Sequence, residues 1–83
     1  MPREIKVFIN PSCSPCNELK KWLNKKNISF VERDVVNEQE AINEFTRIDG
    51  QYTPTTLITD GEDKFEIIGY NPAKIDRILS LTE

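Results

Sequence analysis

The sequence contains no histidine and only two cysteines, and these two scarcities exclude more than any abundance does. Zinc takes four ligands, commonly drawn from cysteine and histidine. Two thiols without an imidazole cannot form a self-contained site, so only one shared between two copies of the chain stays open. Two cysteines are also too few for the disulfide lattice of a small secreted domain. No apolar run approaches the roughly 18 residues of a membrane-spanning helix, and the start, Met1-Pro-Arg-Glu-Ile-Lys6, is polar from the outset. The expectation is a cytoplasmic protein with neither signal peptide nor membrane association. Glycine occurs three times, and there is no repeat or low-complexity segment, which excludes fibrous and disordered classes.

The 83 residues predict one small domain, 1–83, with a thin core, because a chain this short buries only about 60% of its unfolded surface. A net charge of −3 argues against nucleic-acid binding. The charge is uneven: residues 1–33 carry seven Lys/Arg against three acids, with Lys20, Lys21, Lys25 and Lys26 close together. That cluster reads as a solvated helix face or as a docking surface for an acidic partner.

Hydrophobic periodicity orders the elements. Glu4 to Ile9 mixes alternation with a final apolar run, as a buried strand does, and Asn10-Pro11-Ser12 breaks it. From Cys13 the period changes: Cys16, Leu19, Trp22 and Leu23 share one face of a helix running to about Lys26, with Asn27 as its stop. Ile28 to Val36 reads as a second strand. Asn37 with Glu40 predicts a capping box, and Ala41, Ile42, Phe45 and Ile48 line a second helix that ends at Asp49-Gly50. Thr55–Thr59 and Lys64–Ile68, joined by Asp60-Gly-Glu-Asp63, predict a β-hairpin. Asn71 and Pro72 then start a last helix with Ile75, Ile78, Leu79 and Thr82 inward. The order is βαβαββα, a mixed four-stranded α/β sheet with three helices, its first two strands parallel through a right-handed crossover.

The change of period at Cys13 makes the cysteines unequal. Cys13 falls at a helix amino terminus, where unpaired N–H groups and the dipole favour a thiolate by up to roughly 2 kcal/mol. This is enough to activate a thiol without a histidine base. Cys16 returns to the same face one turn deeper, spaced to attack a mixed disulfide formed at Cys13. Ser14 and Pro15 fill the ring, and Pro15 costs little in a first helical turn. The alternative is a purely structural pair packed as small hydrophobes. In Tyr52-Thr53-Pro54, the proline precedes a core strand. It reads either as an ordinary turn proline or as a cis-proline loop that frees the Thr53 backbone for a bound peptide, and X–Pro statistics favour the turn.

Taken together, Cys13-Ser-Pro-Cys16 after the first strand, Tyr52-Thr-Pro-Thr55 before the third, and Gly69-Tyr70 before the last helix resemble the glutaredoxin family of the thioredoxin fold. The resemblance implies a thiol–disulfide oxidoreductase with Cys13 as nucleophile and Cys16 as resolving thiol. It also implies a cis Pro54, with Ser14, Pro15, Thr53, Pro54, Gly69 and Tyr70 lining the substrate groove. It implies no metal or other cofactor, a monomer, a disulfide-containing protein substrate, and thioredoxin reductase or glutathione as reductant. Glutathione-using members have proline second in the motif, a lysine shortly before it, a TVP loop and Gly-Gly followed by Asp. Here Pro15 is third, no lysine stands at 10–12, Thr53 replaces valine, and Gly69 is followed by Tyr70-Asn71. Proline in third place is similar to thioredoxin's CGPC, and Gly69-Tyr-Asn-Pro72 is similar to the Gly-Phe-Arg-Pro of NrdH-type redoxins. Those are reduced by thioredoxin reductase and supply electrons to ribonucleotide reductase. Pro11 to Val35 also resembles the Spx and arsenate-reductase-like branch, which includes a transcription regulator that uses CxxC as a redox switch.

Overall fold

The computed structural model describes residues 3–81. The elements run β1 (Arg3–Ile9), α1 (Ser14–Lys25), β2 (Val31–Asp34), α2 (Gln39–Arg47), β3 (Thr55–Asp60), β4 (Asp63–Ile68) and α3 (Pro72–Leu81). This is the predicted βαβαββα order. The sheet order is β2-β1-β3-β4. β1 is parallel to β2 (Ile9 opposite Asp34) and antiparallel to β3 (Phe8 opposite Thr55), and β4 closes the hairpin (Thr55 opposite Ile68). The carboxyl ends of β1, β2 and β4 therefore meet the amino end of β3 along one edge.

Alternation along β1 divides the core. Ile5, Val7 and Ile9 point into one layer with Cys16, Leu19 and Leu23 of α1, Ile58 and Ile67 of the hairpin, and Ile75, Ile78 and Leu79 of α3. Phe8 points the other way, where its ring packs on Phe45 of α2 at 5.4 Å. Beside it, Lys6 Nζ donates to Glu44 Oε2 at 2.6 Å, and Arg33 Nη2 stands 3.0 Å from Oε1 as a charge contact. The Lys6 hydrogen bond, with the Lys6, Arg33 and Arg47 charges, outweighs burial and holds the Glu44 carboxyl below its ordinary range. A depressed carboxyl pKa stabilises the fold above the unfolded-state value, and that contribution fades as pH falls through the folded-state value. Glu44→Gln is therefore expected to lower the urea midpoint at neutral pH, with the gap to wild type closing in acid. A gap that stays open in acid would assign the loss to packing instead.

Two local expectations require correction. The second strand occupies only Val31–Asp34, not Ile28–Val36. Ile28 and Phe30 pack on the core without joining the ladder. Beyond the strand, Asp34 Oδ1 accepts from the Val36 and Asn37 N–H groups and curls the chain into a turn. Those bonds, with that of the Asn37 side chain as the largest influence, lower the Asp34 pKa. Asn37 is thereby committed to Asp34 Oδ2, so the predicted capping box does not form; Glu38 takes the N-cap position without a side-chain cap. The first helix begins at Ser14, with Cys13 as its cap. Thr82, expected on the last helix, lies outside the described residues. Asn27 ends α1 as predicted, in the left-handed region (φ 58°). Of the basic cluster, Lys20 reaches Glu32 of β2 at 3.1 Å and Lys21 lies 4.0 Å from Glu18. Among the described residues, no helix is long and apolar enough to cross a membrane.

Candidate active site

Asn10 builds the loop that delivers Cys13. Its side-chain oxygen accepts from the Ser12 N–H at 2.9 Å and its carbonyl from the Cys13 N–H at 2.9 Å, turning the chain sharply out of β1. Cys13 then has extended N-cap dihedrals (φ −91°, ψ 115°), and its carbonyl accepts the first helical bond from Asn17. Where a serine or aspartate would use oxygen, Cys13 uses sulfur: Sγ accepts from the Cys16 N–H at 3.2 Å. A donor aimed at that sulfur favours its anionic form. Pro15 occupies the first turn, where its missing N–H leaves no gap in the helix ladder.

Cys13 and Cys16 are joined as a disulfide with their Cα atoms 5.2 Å apart. Cys13 is half-buried, whereas Cys16 is 0% exposed and belongs to the core layer under α1. A disulfide arriving from solvent can meet the Cys13 sulfur directly, while that of Cys16 is screened. Among the described residues, no group of three or more His, Cys, Asp or Glu side chains is placed to hold a metal ion.

The second wall is the Tyr52–Thr55 loop. The Thr53–Pro54 peptide is cis, so the expectation from X–Pro statistics gives way to that from the family resemblance. The Thr53 carbonyl oxygen lies 3.7 Å from Cys13 Sγ, a distance at which it accepts the S–H of a reduced thiol. Pro54 is buried, and its carbonyl accepts from the Gly69 N–H at 2.8 Å, pinning the loop to the end of β4. Gly69 has φ +83°, and a Cβ there would meet nothing within 4 Å, so backbone conformation rather than space calls for glycine. Tyr52 and Tyr70, 64% and 46% exposed, stand on loops at the same sheet edge. The structure thus gathers Cys13, Cys16, Thr53, Pro54 and Gly69 through sulfur contacts and backbone bonds. Ser14, Pro15 and Tyr70 share the edge by position only. Sequence reading treated Asn10 as a chain break and passed over Thr55, whose hydroxyl bonds back to the Tyr52 carbonyl at 2.6 Å. The available signal was residue type, since Asn and Thr bond readily to nearby backbone.

The glutaredoxin family model matches residues 5–63, from β1 through the start of β4, including both cysteines and the Thr53–Pro54 loop. The chain belongs to the glutaredoxin family. A glutaredoxin-like 8.6 kDa protein of the rubredoxin operon in Clostridium pasteurianum is 31% identical over 75 residues, covering 90% of this chain and 96% of its own. A crystal structure of a variant of the thioredoxin-like protein BC3987 superposes with a TM-score of 0.79 at 31% identity, covering 96% of this glutaredoxin and 97% of that chain. The global transcriptional regulator Spx of Bacillus subtilis is 34% identical over 44 residues, which is 53% of this glutaredoxin but only 34% of the regulator.

Proposed function

We propose that this glutaredoxin-family protein is a dithiol donor that reduces disulfides of other proteins, with Cys13 attacking and Cys16 resolving. The carrying observation is the inequality of the sulfurs: Cys13 half-buried under a Cys16 N–H, and Cys16 sealed in the core. The Cys13 thiolate attacks one sulfur of the substrate disulfide. A Cys13–substrate bond forms, and the other substrate sulfur leaves as a thiolate that takes up a proton. The Cys16 thiolate then attacks the Cys13 sulfur, forming Cys13–Cys16 and releasing the second substrate thiol. Two electrons pass from the protein dithiol to the substrate. Thr53 and Pro54 wall the groove, with Ser14, Pro15, Gly69 and Tyr70 on its rim.

For the reductant, Pro15 in third place, Thr53 and Gly69-Tyr70-Asn71 favour thioredoxin reductase over glutathione, in an NrdH-like donor role that includes ribonucleotide reductase as an acceptor. The oxidised protein is expected to be re-reduced rapidly by thioredoxin reductase with NADPH and slowly by glutathione, followed as NADPH consumption and as free thiols. Rapid reduction by glutathione alone would overturn that assignment.

The similarity to Spx supports one further reading, a redox-switched interaction protein. That reading predicts binding to RNA polymerase and poor multiple-turnover insulin reduction. Sustained insulin reduction without polymerase binding would reject it.

A further inference from the structure

We infer that Thr55 is a positioning residue for this site, its hydroxyl holding the loop that sets the Thr53 carbonyl beside Cys13. The inference rests on the oxidoreductase reading above for its consequence in turnover. Thr55 is 1% exposed, and its Oγ1 donates to the Tyr52 carbonyl at 2.6 Å, closing a loop of four residues. Between donor and acceptor lies Thr53, whose own carbonyl stands 3.7 Å from Cys13 Sγ. The far side of the loop is pinned by the Gly69 N–H on the Pro54 carbonyl at 2.8 Å. Side chain and backbone therefore clamp the carbonyls on either side of Thr53, at Tyr52 and at Pro54. Pairing of Thr55 with Phe8 and Ile68 fixes the Thr55 backbone in the sheet, so its hydroxyl refers the loop to the rigid part of the molecule.

The neighbouring residue supplies a control. Thr56 is 0% exposed and its hydroxyl has no hydrogen-bond partner among the described residues. Thr→Val at 55 and at 56 is the same chemical change at equal burial, one residue apart. At 56 it removes an unpaired hydroxyl and is expected to be neutral or stabilising; at 55 it strands the Tyr52 carbonyl.

The test uses the full chain as wild type, Thr55→Val, Thr55→Ser and Thr56→Val. Two measurements are made: the pH dependence of iodoacetamide alkylation of reduced Cys13, and kcat/KM for insulin. A Thr53 carbonyl that accepts the Cys13 S–H favours the thiol over the thiolate. Thr55→Val is therefore expected to move the alkylation midpoint down by about half a pH unit, a threefold change in thiol–thiolate balance. Insulin kcat/KM is expected to fall about fivefold, the scale of one lost hydrogen bond, because the displaced loop no longer walls the groove and that loss outweighs the gain in thiolate. Thr55→Ser keeps the hydroxyl and should restore both values, and Thr56→Val should change neither. An unmoved midpoint in Thr55→Val, an equal shift in Thr56→Val, or a serine variant that behaves as valine would overturn the inference. Alkylation needs no turnover, so a midpoint shift in Thr55→Val, with the wild-type protein inert toward insulin, would uphold the clamp while refuting the oxidoreductase reading.

Discussion

Replacing Cys16 by serine is expected to turn the protein from a multiple-turnover reductant into a trap. Cys13 in that variant still presents its sulfur under the residue 16 N–H, so attack on a substrate disulfide proceeds. The resolving sulfur is absent, and the covalent Cys13–substrate adduct accumulates at one per chain, visible by intact mass and released by dithiothreitol. Cys13→Ser, in contrast, is expected to drop insulin reduction to the rate of the buffer reductant, since Cys16 is buried within the core layer and cannot meet a protein disulfide. Serine at 16 places a hydroxyl in an apolar layer, at about 1–3 kcal/mol if unpaired. Cys16→Ala avoids that cost and should trap equally well. Full turnover by the Cys13 variant, or an unmodified Cys16 variant after exposure to substrate, would reverse the assignment of the two sulfurs.

The second large effect concerns stability. A Cβ built on Gly50 collides with Cδ1 and Cε1 of the Phe45 ring, and the Gly50 N–H is bonded to the Phe45 carbonyl at 2.8 Å, so the backbone cannot simply step aside. Gly50→Ala is expected to push that ring out of its contact with Phe8. Overpacking costs about 1–3 kcal/mol and the aromatic pair about 0.5–1.5 kcal/mol, so a loss of roughly 2–4 kcal/mol is expected. For a small domain this corresponds to a fall in Tm of about 10 °C or more. The double variant Phe45→Ala/Gly50→Ala tests the cause: with the ring gone, alanine at 50 should add little further loss. If glycine served only chain flexibility, Gly50→Ala would instead raise stability by about 0.4–1 kcal/mol, and the close-approach argument would fail.

Much of the fold and the core of the candidate site were legible because their signals are local. The switch from strand to helix period at Cys13 marked the junction on which the sulfur chemistry depends, and Asp60 to Asp63 marked the hairpin. The residues misread are those whose partners compete. Val35 and Val36 look like strand, but only the Val35 N–H reaches β1, at the Ile9 carbonyl; the Asp34 carboxylate captures the Val36 and Asn37 N–H groups and ends the ladder. Asn37 looks like a cap, but its side chain is already bonded to the same carboxylate. The cis state of Pro54 was legible only through the family resemblance and not from X–Pro statistics, and the Gly69 N–H that meets its carbonyl comes from the end of β4. Thr55 and Thr56 are adjacent and equally buried, yet only one hydroxyl is bonded. Nothing in composition or spacing separates them.

The strand arrangement has one more consequence. The loop carrying Cys13 and the loop carrying Thr53 lie 40 residues apart in the chain and touch only because β3 is inserted between β1 and β4. A nascent chain that has emerged as far as Gly50 already owns both sulfurs but lacks the carbonyl wall and the strand that supports it. Insertion of β3 between β1 and β4 is therefore what brings the Thr53 carbonyl to the Cys13 sulfur.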